Sequence, residues 1–360
     1  LLRFKDFFYF LMTRNFRKAN RVPPALLFPV IWVTDRCNLH CRMCDQWKTA
    51  ASREKEELAT RDWFSIIDSA RRLHAAVFII TGGEPLLRKD IFEIIRYMRK
   101  NKIAAHLCTN GTLIDDARAR QLVTSGLNSA SISLDSDCAS IHNWMRNTDC
   151  FNAAVNGIER LRAASPRIKI GINYVITKKN FRDLDRMVRF AKKLGVNQIK
   201  FDPVHTNLMH RRKPLESFAG LLFEENDLQQ LRIEIDKLIR EAAKSRLLTN
   251  SYTFLKGISR LYDAAGPVSF PCYAGYISCA IDPYGNVAPC DNFDGADNIR
   301  NKPLEEIWSS ESFQRMRQYV ISCNAHCWDT THAELNIRCA KFFSLRELRQ
   351  IIKELYFYLV

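Results

Sequence analysis

The chain has 360 residues, 47% apolar and 26% charged, with only 13 Gly and 12 Pro. That composition excludes a disordered or fibrous protein and allows one large domain with a smaller companion. No apolar run reaches the roughly 18 residues that cross a bilayer. A net charge of +15 suggests an acidic partner, a nucleic acid or an anionic surface. Twelve cysteines are too dilute for a disulfide scaffold, and the N-terminus shows no signal-peptide cleavage pattern. A reducing, cytoplasmic setting is expected, where grouped thiols usually mean metal or redox chemistry.

Residues 1–26 read as a basic amphipathic segment, with Phe4, Phe7, Phe8 and Phe10 among Arg3, Lys5, Arg14, Arg17, Lys18 and Arg21. Such a helix either covers the open side of a barrel or lies peripherally on an anionic membrane. From 27 to 205, β-rich runs at 27–34, 76–81, 104–108, 130–134, 169–176 and 198–201 alternate with helical patterns. Trp63, Ile66, Ile67, Ala70 and Leu73 follow a Thr60 cap candidate. Asp90 and Glu93 read as a capping box ahead of Ile91, Ile94, Ile95 and Met98. Phe181, Leu184, Val188, Ala191 and Leu194 mark a further helix after Asn180. The alternation predicts an α/β fold with a parallel sheet, open or curled into a partial (β/α)6 TIM-like barrel. Chemistry in such folds gathers at the C-terminal strand ends. There stand the cysteine loop, Gly82 to Pro85, Thr109 to Gly111, and Asp135, after the first four strands in turn. Residues 206–250 look like a bridging helical segment, with a basic run His210 to Lys213 and a helix from about Asp227 to Lys244. Residues 251–340 form a smaller C-terminal cysteine-rich domain, with a Pro283-Tyr284-Gly285-Asn286 turn between two strand-like runs. Residues 341–360 close the chain as an amphipathic helix.

Cys37, Cys41 and Cys44 stand at C-x-x-x-C-x-x-C spacing, close enough to hold one metal centre. Structural zinc needs a fourth protein ligand from elsewhere, whereas an iron–sulfur cluster on three cysteines keeps one iron open. Buried loop thiols are the plain alternative. The glycines of Gly82-Gly83-Glu84-Pro85 would let backbone approach a ligand, and the Glu84 carboxylate would attract an ammonium group. Asp135 at a strand end is either a ligand contact or a helix cap.

The cysteine triplet, with hydrophobic Met43 before its last member, resembles the radical S-adenosylmethionine (radical SAM) superfamily; many members have an aromatic residue at that place. The resemblance covers about residues 27–205. It implies that the three cysteines hold a catalytic 4Fe–4S cluster whose fourth iron is chelated by S-adenosylmethionine. One-electron reduction then yields a 5′-deoxyadenosyl radical that abstracts hydrogen from substrate. It also implies that Gly82, Gly83, Glu84 and Pro85 lie at the cofactor's ammonium group and that Ser133 and Asp135 lie at its ribose. Asn110, within Thr109 to Gly111, belongs to a recurrent family turn, although a plain turn reads equally well.

Cys272 and Cys290 fit C-x12-G-x4-C through Gly285, and Cys323 and Cys327 follow a helical stretch. Four thiols satisfy either tetrahedral zinc or a fully ligated 4Fe–4S cluster. The pattern resembles the SPASM/twitch extension of radical SAM enzymes, which implies one auxiliary 4Fe–4S cluster at Cys272, Cys290, Cys323 and Cys327. Cys279 and Cys339 stay unassigned, and Cys108, Cys138 and Cys150 read as core thiols. His106 and His205 read as structural more readily than catalytic.

The expected function is oxidation or other modification of a small-molecule, sugar or lipid precursor, the auxiliary cluster taking up an electron. The reductant would be a flavodoxin or ferredoxin, and no nucleic-acid-binding appendage is recognisable. One alternative is maturation of a ribosomal peptide or protein side chain, disfavoured because residues 1–26 are too few for a leader-binding domain. Another is a zinc-stabilised, non-enzymatic binding scaffold.

Overall fold

The computed structural model describes residues 4–48, 53–204, 218, 220–262, 270–325, 327–342 and 344–359. His205 and the basic run His210 to Lys213 lie outside the described residues. The N-terminal segment forms helix α1 (Phe4–Lys18). It packs: Phe7 and Phe10 meet the Phe342 ring at centroid distances of 5.5 and 5.7 Å, and Arg17 Nε donates to the Cys272 carbonyl at 2.6 Å.

Six parallel strands follow, β1 (Val30–Trp32), β2 (Val77–Thr81), β3 (Ala104–Thr109), β4 (Ser129–Ser133), β5 (Lys169–Ile176) and β6 (Gln198–Pro203), each paired with the next. Between them run α2 (Thr60–Arg72), α3 (Ile91–Lys100), α4 (Asp116–Ser125), α5 (Ala139–Arg146), α6 (Phe151–Ala164) and α7 (Leu184–Leu194). The apolar positions three and four apart are the buried ones. Ile91, Ile94, Ile95 and Met98 of α3 are all fully buried, each stabilising by about 1.5–3 kcal/mol relative to exposure.

Two expected caps take other partners. Thr60 lies inside α2, behind Ala59 at the N-cap, and its hydroxyl donates to Asp90 Oδ2 at 2.7 Å. Asp90 makes no cap bond to α3; its carboxylate receives both Nε and Nη2 of Arg88, at 2.9 and 2.7 Å. The bidentate contact with the Arg88 guanidinium engages both carboxylate oxygens in place of the cap.

The expected separate C-terminal domain is joined to the barrel through its sheet. After α8 (Glu225–Lys244) and α9 (Tyr252–Arg260), strand β7 (Ala280–Ile281) pairs parallel to β1, with Val30 opposite Ala280. β8 (Asn286–Ala288) and β9 (Asp297–Asn298) then add antiparallel, making one nine-stranded sheet. β1 would otherwise be an open edge, and the hairpin covers it. Gly285 makes the turn at φ +94°, a conformation few other residues accept.

Helices α10 (Leu304–Ser309), α11 (Glu311–Ile321), α12 (Ala333–Lys341) and α13 (Leu345–Leu359) complete the fold. α13 is tied to the barrel base by Lys200, which donates to Glu354 and, at 3.0 Å, to the Tyr358 hydroxyl. Its Glu347 accepts the backbone N–H groups of Tyr252 and Thr253 at 3.0 and 2.9 Å.

Candidate functional site

The loop after β1 carries Cys37, Cys41 and Cys44, and neighbouring elements pin it on every side. Arg42 N–H donates to the Met145 carbonyl at 3.0 Å and its Nε to the Trp144 carbonyl at 2.9 Å, anchoring the loop to α5. The backbone N–H groups of Gly83 and Glu84 donate to the carbonyls of Thr34 and Arg36, at 2.8 and 2.7 Å. Asn110 Nδ2 donates to Asn38 Oδ1 at 2.9 Å. Asp35 accepts Gln46 Nε2 and the Tyr284 hydroxyl, each at 2.8 Å, which ties the loop to the β7–β8 hairpin.

The three thiols rim an apolar basin that includes Leu39, Met43, Met145 and Phe218. Burial pushes the Cys37 thiol up to about 11 and raises Cys41 as well, and the neighbouring thiols add to both. Two donors point at the sulfurs. Leu39 N–H lies 3.4 Å from Cys37 Sγ, and Arg146 Nη1 lies 3.8 Å from Cys41 Sγ. Grouped thiols with a guanidinium beside them suit a metal-bound thiolate set.

A cavity of about 290 Å³ opens over the C-terminal strand ends. Its wall takes in all three cysteines and, among the expected cofactor contacts, Met43, Gly82, Gly83, Asn110 and Ser133. Glu84, Pro85 and Asp135 are not in that wall; Glu84 and Asp135 each bond a residue that is, Asn110 and Arg146. Glu84 is fully buried, and its oxygens accept the Thr109 hydroxyl at 2.7 Å, Asn110 N–H at 2.8 Å and Leu86 N–H at 3.1 Å. Burial raises its pKa, opposed by those bonds. Pro85 opens a short 3-10 turn. The glycines serve a close approach, but to backbone: a Cβ on Gly82 would strike the Thr34 carbonyl, and one on Gly83 the Arg36 carbonyl.

Asp135 is fully buried too. Its Oδ2 accepts Arg146 Nε at 2.6 Å and its Oδ1 accepts Val175 N–H at 3.1 Å. Burial acts to lower the Arg146 pKa, but the carboxylate and the Cys41 thiol hold it above its ordinary value. Asp135 N–H donates to His142 Nδ1 at 3.2 Å, and burial brings that imidazole down to about 4, so it is neutral. Asp135 therefore aims Arg146 into the cavity. Arg146 carried no sequence signal, because its partner stands 11 positions away on another element.

The second cysteine group lies beside that cavity, whose wall includes Asp291, the residue after Cys290. The thiols of Cys272, Cys290, Cys323 and Cys327 lie close enough to act on one another electrostatically, and burial raises Cys272, Cys290 and Cys327. Asn292 Nδ2 donates to Cys327 Sγ at 3.0 Å. Cys279 is fully enclosed in the main core, and Cys339 sits on α12 among Ala25, Leu27, Tyr273 and Ile277. Of the three expected core thiols, Cys150 is buried and Cys108 lines the cavity wall. Cys138 instead lies at the N-terminus of α5, beside the Ser140 hydroxyl at 3.2 Å. His106 is buried and pairs with Ser129 at 2.8 Å, as a structural histidine does.

The far wall of the cavity holds groups that sequence reasoning passed over: Asp202, Asp291, Asp329 and His332. His332 Nε2 is 3.2 Å from Asp291 and its Nδ1 3.0 Å from Asp329, and the two carboxylates outweigh burial to raise it to about 10. Donor atoms of Cys290, Asp291 and His332 fall within 4.8 Å of one another. Asp202, ending β6, takes Thr330 N–H and hydroxyl at 2.7 and 2.8 Å; burial and Asp329 raise it to about 7. Its place at a strand end was the one signal available in the sequence.

A partial parallel barrel with three thiols at its mouth, and four more on the segments flanking the appended hairpin and following α11, defines an iron–sulfur enzyme scaffold. Residues 31–191 match the radical SAM superfamily, and residues 272–329 match the SPASM iron–sulfur cluster-binding domain. The chain belongs to the radical SAM superfamily and is an enzyme, which sets aside the zinc-scaffold alternative. Its cofactors are a catalytic 4Fe–4S cluster, S-adenosylmethionine and auxiliary iron–sulfur.

Among curated relatives, the mycofactocin maturase MftC of Mycolicibacterium smegmatis is 29% identical over 344 residues, covering 92% of this chain and 82% of that one. The AdoMet-dependent heme synthase of Methanosarcina barkeri is 28% identical over 304 residues, 80% of this chain and 84% of that one. The fold resembles Streptococcus suis SuiB (TM-score 0.66, 17% identity, 86% of this chain and 71% of that one). It also resembles anSMEcpe with bound AdoMet (TM-score 0.63, 17% identity, 92% of each chain).

Proposed function

We propose that Cys37, Cys41 and Cys44 hold the catalytic cluster, and that Cys272, Cys290, Cys323 and Cys327 hold one auxiliary 4Fe–4S cluster. The enzyme modifies, by net oxidation, a small-molecule, sugar or lipid precursor. The observation that carries this reading is the shared cavity: its wall joins the cysteine triplet to Asp291 and His332, which flank Cys290. When bound, the reduced catalytic cluster supplies an electron that cleaves S-adenosylmethionine to the hydrogen-abstracting radical. The chain's own groups do the rest. Arg146 offers its guanidinium to the sulfur side and the cavity. Gly82, Gly83, Asn110 and Ser133 shape the cofactor wall. Asp202, Asp329 and His332 face the remaining space as polar contacts for substrate.

Maturation of a peptide or protein side chain is the second reading, supported by the maturase among the relatives; the heme synthase among them supports the first. A flavodoxin or ferredoxin would deliver electrons to this basic chain in the cytoplasm. No helix among the described residues is long and apolar enough to cross a membrane.

Anaerobic reconstitution with iron and sulfide analysis tests the assignment. About eight iron atoms per chain are expected for two 4Fe–4S clusters, and about four would remove the auxiliary one. Cys41→Ala should abolish 5′-deoxyadenosine formation, while Cys290→Ala should keep some. Identical behaviour of the two variants would overturn the division of roles.

A further inference from the structure

Beneath the catalytic cavity, towards the N-terminal ends of the strands, lies a second cavity of about 110 Å³. Its wall is mainly apolar, with Phe7 and Phe10 from α1, Leu27 and Phe28 before β1, Val77 from β2 and Ile351 from α13. Ile79, Cys108, Asn173, Thr330 and Thr331 belong to the walls of both cavities. The two cavities therefore adjoin, with these five residues at the boundary between the reacting centre and an apolar chamber.

Four charged side chains, Asp6, Lys200, Arg338 and Glu354, also line the chamber. Lys200 and Arg338 both pair with Glu354. Burial holds His106 down to about 3, so its ring is neutral. The Cys108 thiol, which burial lifts to about 12, stays protonated and inert. Most of the wall is apolar, and unfilled apolar space is destabilising in a closely packed core. The volume approaches that of an engineered apolar cavity of about 150 Å³ that takes up benzene, so it suits a short alkyl chain or the end of a longer one.

We propose that this basal chamber binds the apolar chain of an amphiphilic substrate whose polar end lies in the catalytic cavity. The proposal rests on the small-molecule and lipid reading above and narrows it to substrates with a hydrocarbon tail.

The test uses the reconstituted holoenzyme and cis-parinaric acid, a fluorescent polyene chain, displaced by alkyl glucosides of increasing length. One saturable site per chain is expected. Val77→Phe, which fills the chamber, should weaken binding at least tenfold while the iron content and the cleavage of S-adenosylmethionine hold. Phe10→Ala, which enlarges it, should shift the preferred glucoside to a longer chain, a gain that misfolding cannot produce. Binding that is not saturable, or that Val77→Phe leaves unchanged, overturns the proposal. So does binding lost instead in Ile352→Glu, since Ile352 is 58% exposed on the outer side of α13. The wider reading fails separately, if Cys41→Ala still yields 5′-deoxyadenosine.

Discussion

Replacing Asp135 by alanine separates a residue that positions the site from one that touches the cofactor. The carboxylate is fully buried, and it is the counter-charge of an Arg146 side chain that is only 11% exposed. Removing it strands that guanidinium and leaves Val175 N–H, 3.1 Å away, without its acceptor. Breaking a buried ion pair from one side costs about 3–5 kcal/mol, and an orphaned backbone N–H adds about 1 kcal/mol or more. At about 2 °C per kcal/mol for a large domain, the melting temperature should fall by roughly 8–12 °C. Asp135→Asn keeps the shape and an acceptor oxygen but not the charge, and should lose about half as much. Both losses must appear in the cluster-free protein, because the contacts are internal to the chain. The assay is a thermal melt of cluster-free protein, paired with calorimetric titration of S-adenosylmethionine into reconstituted protein. A cluster-free Asp135→Ala that melts like the parent, with weakened cofactor binding alone, would refute the reasoning and return Asp135 to direct contact.

Gly257 in α9 packs against the Trp328 indole, and an added methyl would overlap its ring atoms. Gly257→Ala should therefore displace the residue next to Cys327, cost about 1–3 kcal/mol as overpacking does, and lower auxiliary iron per chain; unchanged iron content would reject the link. Glu84→Gln turns an amide NH2 towards one of the three donors now bonded to the carboxylate, so about 1–3 kcal/mol of stability should go, measurable by urea denaturation. Asp202 makes stability depend on pH. With its pKa raised from 3.8 to about 7, the folded cluster-free chain holds a proton that the unfolded chain has released. Its contribution to stability then falls as pH rises from about 4 to about 7 and levels off above. Asp202→Asn should flatten that slope, so its melting temperatures at pH 5 and pH 8 should lie closer together than the parent's; a slope equal to the parent's would show that Asp202 is not its source.

What could be read along the chain was what depends on spacing along the chain. Strand β5 runs over Lys169–Ile176, the expected span, because alternating burial and β-branched residues define it locally. The first strand is shorter than the expected 27–34, since Leu27 and Phe28 give their N–H groups to the Ile277 carbonyl, 250 and 249 positions away, before β1 pairs with β2. The same limit hid the union of hairpin and barrel, which depends on β7 meeting β1.

It also explains the two carboxylates. Glu84 and Asp135 were recognised as special, and they are, but an acidic residue at a strand end does not announce which donor will claim it. Thr109 and Asn110 claim Glu84 from the next strand, and Arg146 claims Asp135 from the helix that follows. The cavity is thereby left with cations that are each held by a carboxylate: Arg146 by Asp135 near the cysteine triplet, and His332 by Asp291 and Asp329 near the second cysteine group. A paired guanidinium keeps its geometry while its net charge is largely cancelled, so it directs hydrogen bonds at a ligand without drawing in arbitrary anions. The acidic residues serve the chemistry one bond removed from it, and substituting them should disturb the aim of Arg146 and His332 before it disturbs any contact of their own.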